Sequence, residues 1–104
     1  MSRFIFSHQS PEHLAITVSD AKFDAASAAA FKEELDANWK PEIRRVTIDF
    51  SEVQFIDSSG VGALLSVQKR MPAGSEPVTI QGAKPNVVSV IELLRLHRVF
   101  TIKP

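Results

Sequence analysis

Apolar residues recur along this chain with two different periods, and the switches between them divide it into strands and helices. Phe4 to Ser7 is a short apolar stretch, and a polar break ending in Ser10-Pro11-Glu12 follows it. Leu14, Ile16 and Val18 then alternate with Ala15 and Thr17, the period-two signature of a strand with one buried face. Together the two segments predict an antiparallel hairpin at the start of a sheet. Ala25 to Trp39 holds no Gly, Pro or β-branched residue. Within it Ala28, Phe31, Leu35 and Trp39 fall three or four apart on one helical stripe, with Lys32, Glu33, Asp36 and Lys40 on the other side. Asp24 stands where a carboxylate accepts from the free amides of the first turn, and Pro41 ends the helix.

The alternation returns in Arg45-Val46-Thr47-Ile48-Asp49-Phe50, a strand with Val46, Ile48 and Phe50 on one face. Val53, Phe55 and Ile56 are expected to bring the chain back to the core before Asp57. A second helix runs from Ser58 to about Arg70 and is ended by Met71-Pro72-Ala73-Gly74. Val78-Thr79-Ile80 reads as a strand. Pro85 suits a first helical position, where its missing N–H costs nothing. Val87, Val88, Ile91 and Leu94 then form the apolar face of a third helix, and Val99 to Ile102 closes the chain as a strand. The order β-β-α-β-α-β-α-β predicts an α/β domain spanning 1–104. Its sheet is mixed and mostly parallel, with an N-terminal hairpin and three packed helices.

Composition narrows the function classes. One domain fits in 104 residues and two do not. Such a chain removes roughly 65% of its unfolded surface from water, so a core of 44% hydrophobic residues holds without disulfides or metal. Twelve basic residues balance twelve acidic ones, which argues against direct nucleic-acid binding and against a polybasic membrane contact. The apolar start is too short for a signal peptide, and no window approaches a membrane span. The expectation is a soluble, cytoplasmic domain; the lack of cysteine adds little to it.

The candidate chemistry lies in Phe55-Ile56-Asp57-Ser58-Ser59-Gly60-Val61-Gly62, where an acid, two hydroxyls and two glycines open a helix directly after a buried segment. Asp57 or Ser58 can cap that helix, and the free amides of its first turn favour negative charge. A phosphoryl group on Ser58 would stabilise the helix rather than melt it, so it would act on a partner and not on the fold. Along the same helix Ser59, Gly62, Ala63, Ser66 and Arg70 recur at spacings of three and four, roughly opposite Val61, Leu64 and Gln68. This strip of small residues reads either as a docking surface beside the serine or as a face packed on the protein's own sheet.

The segments Val46-Thr47-Ile48-Asp49-Phe50-Ser51 and Phe55 to Gly62 resemble the anti-sigma factor antagonists, which are built on the STAS domain. The likeness extends to Phe23-Asp24, to Val78-Thr79-Ile80 and to Pro85 through Phe100. It implies partner switching. An antagonist of this kind binds an anti-sigma factor while unphosphorylated, and that anti-sigma factor is typically a serine kinase. The kinase phosphorylates the first serine of the motif, here Ser58, and so ends the interaction; a serine phosphatase restores it. No cofactor is expected, since ATP comes with the kinase. Asp24 matches a family position at the edge of the kinase contact. With the motif and the small strip, the expected contact surface is Asp24, Asp57, Ser59, Gly60, Gly62, Ala63 and Ser66. Two positions depart from the family. The loop Val18 to Asp24 lacks the usual glycine, and Arg95-Leu96 stands where the family tends to have Gly-Leu.

Catalysis is the rival class. Ser58 lacks a Gly-x-Ser-x-Gly elbow, and His8, His13 and His97 stand far from it in sequence without metal-ligand spacing. Each reads better as a solvated or edge residue. No phosphate loop of the Gly-x-x-x-x-Gly-Lys type occurs. A phosphoaspartate receiver would need further acids clustered at the first strand and a lysine near the fifth; Asp20 and Asp24 are weak substitutes, and five strand–helix units do not fit in this length. A STAS domain serving as a regulatory subunit of a transporter, or in another signalling complex, is the alternative on the same fold.

Overall fold

The computed structural model describes residues 3–104; Met1 and Ser2 of the expected domain lie outside the described residues. Five strands, β1 (Phe4–Ser10), β2 (His13–Val18), β4 (Arg45–Asp49), β6 (Thr79–Gln81) and β7 (Thr101–Lys103), form one sheet in the order β1-β2-β4-β6-β7. Only β1 and β2 pair antiparallel; every later neighbour pairs parallel. The hairpin turns tightly at Pro11-Glu12, and β1 carries a register shift between His8 and Ser10. The predicted alternation is real: Leu14, Ile16, Val18, Val46, Ile48 and Ile80 are buried on one face.

Three helices, α1 (Ala25–Asn38), α2 (Ser58–Arg70) and α3 (Pro85–Leu93), link the parallel strands. Right-handed crossovers between strands added in one direction place all three on the same face of the sheet. All three therefore run opposite to the parallel strands and bring their N-termini to one end. Between sheet and helices lies the core, with Phe4, Phe23, Phe31 and Phe50 at its centre in edge-to-face contacts.

A second sheet was not visible in the sequence. β3 (Lys22–Phe23) and β5 (Phe55–Ile56) pair in parallel, Lys22 with Phe55 and Phe23 with Ile56. Two-residue strands are too short to show a period. Other expectations need correction. Phe55 does not return to the core but is 48% exposed, and Leu94, past the end of α3, is 52% exposed. A 3-10 turn over Leu96–Arg98 delays the last strand to Thr101, so Val99 and Phe100 precede it. Arg95 takes the left-handed conformation at φ 59° and ψ 24° to make that turn, the geometry for which a glycine would be the unstrained residue. The loop from Val18 to Asp24 works without glycine because none of its residues has positive φ.

Candidate functional site

The β3–β5 pair builds the site. Each strand ends in an apolar residue turned into the core, Phe23 or Ile56, and each is followed by an aspartate that caps a helix. Asp24 accepts from the Ser27 amide at 3.3 Å and Asp57 from the Gly60 amide at 3.0 Å. Both caps have extended backbones, as N-cap residues do. In-register pairing of the preceding residues sets the two carboxylates and the two helix starts side by side.

Ser58 is the first residue of α2 and is exposed, as is Ser59. Asp57 satisfies one orphan donor of the first turn, while Ser58 sits beside amides that have no intrahelical acceptor. The Ser58 hydroxyl is thus open to another protein, on backbone held from below by the core.

Gly60 explains why that backbone lies so close to β3. A Cβ there would come within 2.1 Å of the Phe23 carbonyl oxygen and 2.9 Å of Ile56. Gly60 is therefore buried, and Ala63 lies fully inside with Val61, Leu64 and Val67. Neither can form part of an accessible contact surface, and this corrects the expected set. The small strip divides along the helix: Ser59, Gly62 and Ser66 keep accessible surface, and nothing lies within 4 Å of a Cβ added at Gly62. Asp24 and Asp57 are half-buried at its edge. Ser66 donates to the Ala63 carbonyl at 2.6 Å.

Sequence reasoning missed Phe55 and Lys22, which lie next to each other in register and are both exposed. Asn86 of α3 donates to the carbonyl of Gln54, the residue just before β5, at 2.6 Å and ties that helix to the start of the strand. The repeated pair of an apolar residue and aspartate ahead of each helix, Phe23-Asp24 and Ile56-Asp57, was the available signal. Next to Asp24 an open cleft is lined by Arg3, Asp20, Lys22 and Ser27. Ser27 is buried; its hydroxyl is shared between the Asp20 carboxylate and the Lys22 carbonyl oxygen, the latter at 2.8 Å.

The histidines do not join this site. His8 and His97 are exposed, and His13 lies at the start of β2, where its Nε2 is 3.1 Å from Thr47 Oγ1. Burial, then the Arg45 charge, holds the His13 imidazole below its ordinary pKa of 6.5 against an opposing pull from Glu76. Among the described residues no helix is long and apolar enough to cross a membrane.

The family model of the STAS domain matches residues 7–104 of the chain. No curated protein matches it at a significant level. Among solved structures it is similar to the anti-sigma factor antagonist SpoIIAA in its unphosphorylated form, at 19% identity and a TM-score of 0.68, over 86% of this chain and 82% of that one. The phosphorylated form of the Bacillus cell fate determinant SpoIIAA aligns at 17% identity and a TM-score of 0.71, over 95% and 89%. A putative anti-sigma factor antagonist from Thermotoga maritima aligns at 17% identity and a TM-score of 0.79, over 97% and 86%. At these identities the likeness is one of fold, which confirms the α/β arrangement and its mostly parallel sheet.

Proposed function

The chain is a member of the STAS domain family, and from that membership we propose that it is an anti-sigma factor antagonist controlled at Ser58. In this reading it is a non-catalytic, cytoplasmic binding module. Unmodified, it holds an anti-sigma factor that is also a serine kinase. The kinase transfers the γ-phosphoryl group of its own ATP to Ser58 Oγ, leaving ADP, and the complex falls apart; a serine phosphatase resets the cycle.

The observation that carries the reading is the exposure of Ser58 at the first position of α2, beside the half-buried carboxylates of Asp24 and Asp57. A phosphate there adds about −1.5 to −2 charge. Its own helix tolerates that charge, because free amides and the positive end of the helix dipole stand next to it. A partner pressed against Ser59, Gly62 and Ser66 would have to bury it next to two carboxylates. The desolvation and repulsion fall on the complex and not on the fold.

The test is incubation with the cognate kinase and ATP, followed by mass mapping and binding measurements. The expected outcome is one phosphate, on Ser58. Ser58→Ala should bind without accepting phosphate, and Ser58→Asp should bind at least about a hundredfold more weakly, a loss of about 2.7 kcal/mol. Phosphate on another residue, or undiminished binding of Ser58→Asp, would overturn the proposal.

A further inference from the structure

α3 ends in a corner that shows more apolar surface than the fold requires. Val87 and Ile91 fill the buried stripe of the helix. Leu93 follows Ile91 by two positions, a rotation of about 200°, which turns it away from the core. It is 82% exposed, the most exposed large hydrophobic residue among those described, and Leu94 beside it keeps half of its surface. Arg95 comes next, in the left-handed conformation where a glycine would be free of strain. Three consecutive residues thus carry a local cost.

The corner is held firmly by its own main chain. The Leu94 amide donates to the Val90 carbonyl at 3.2 Å and the Arg95 amide to the Glu92 carbonyl at 2.9 Å. Beyond the turn, the amides of Val99 and Phe100 both donate to the Leu96 carbonyl at 2.9 Å, and the Phe100 ring is buried in the core. Charge around the leucines is one-sided. Arg95, His97 and Arg98 are exposed, and Glu92 is the only acid from Ser89 to Pro104. Among the described residues neither arginine has an ion-pair partner. α3 starts at the end of the sheet that carries Ser58, and its nine residues set the corner about 12 Å further along the axis.

We propose that this corner is a second docking surface, and that its occupant is an acidic amphipathic segment of another protein. Apolar side chains of that segment cover Leu93 and Leu94, and its carboxylates meet Arg95 and Arg98. Backbone strain and exposed leucines have no offsetting contact within the chain, and a partner lying over them supplies one. Charge selects the occupant. A second copy of this chain would bring the same arginines face to face. An anionic bilayer would meet Glu92 beside Leu93, and a chain of zero formal charge has no long-range pull towards it. A protein segment places its carboxylates at the arginines and leaves Glu92 in water. The surface stands apart from Ser58, so it is filled whether or not that serine is modified.

NMR titration of the isotope-labelled full chain tests it. The probe is a synthetic helical peptide with leucines at spacings of three and four flanked by glutamates; the control carries lysine in place of each glutamate. Amide shifts should be confined to Leu93 through Phe100 and absent from Ser58 to Gly62. Leu93→Glu and Arg98→Glu change exposed side chains, and each should weaken binding by about tenfold or more with an unchanged melting temperature. Arg95→Gly should weaken binding about threefold while raising the urea midpoint, opposite signs that a purely structural role does not produce. Ser58→Asp should bind the peptide as the wild-type chain does. No binding, equal binding of the lysine peptide, or binding that Leu93→Glu leaves intact would overturn the proposal. So would shifts at Ser58 to Gly62, which would place the peptide on the proposed kinase face. Leu93-dependent sedimentation with phosphatidylglycerol vesicles, or a dimer that Leu93→Glu abolishes, would overturn it too by making the occupant a bilayer or a second copy.

Discussion

Gly60 and the carbonyl of Phe23 are in such close approach that a single methyl group would fall 2.1 Å from the oxygen. The contact locks the start of α2 onto β3 and so fixes the position of Ser58. Gly60→Ala should destabilise the domain by about 2–3 kcal/mol, since backbone and not a movable side chain must yield. Gly62→Ala meets nothing and should stabilise by about 0.5–1 kcal/mol through helix propensity. Urea titration of the two variants checks both signs. In the proposed function Gly62→Ala should at the same time weaken kinase binding, because its methyl points at the partner.

Removing the Asp57 carboxylate isolates the cap. Asp57→Ala should cost about 1 kcal/mol by leaving the Gly60 amide without its acceptor. Asp57→Asn should restore most of this, since asparagine caps comparably well. Equal losses in the two variants, measured by thermal or urea unfolding, would show that the carboxylate's charge and not its capping bond matters.

Arg95 sits in the left-handed region at φ 59°. Replacing it by glycine removes the Cβ clash of that conformation and should raise stability by about 1 kcal/mol. An unchanged or lower urea midpoint for Arg95→Gly would show that the arginine side chain compensates for its backbone.

His13 makes stability depend on pH. Its pKa is lower in the folded chain than the ordinary 6.5, so the unfolded chain binds the proton first as pH falls. The stabilising difference is therefore full above the unfolded value and is lost as pH falls through the folded one. His13→Gln should flatten the decline in urea midpoint between about pH 7 and pH 5. Parallel declines in the wild-type chain and the variant would remove His13 as the cause.

Much of this molecule was readable in its residues because the informative elements are long or strongly marked. Period-two alternation located β2 and β4, and Asp24, Pro41 and Pro85 marked helix ends that the structure keeps within a residue or two. The placement of Ser58 at an exposed helix start followed from the polar motif after Ile56. What escaped were features set by chain crossings. The pairing of β3 with β5 involves two residues on each side and leaves no periodic trace. Gly60 and Ala63 read as small surface residues, although one is small because a carbonyl passes over it and the other because the core closes on it. Phe55 read as core because it is aromatic, yet in a two-residue strand the neighbour Ile56 takes the inward place.

All three helices begin at the end of the sheet that carries Ser58, and their peptide dipoles add along one axis, each contributing about half an elementary charge at either end. A chain of zero formal charge then feels little net pull from a charged neighbour but does feel a torque. It can be turned to present its serine end before contact is made, so its encounters are governed by orientation more than by attraction.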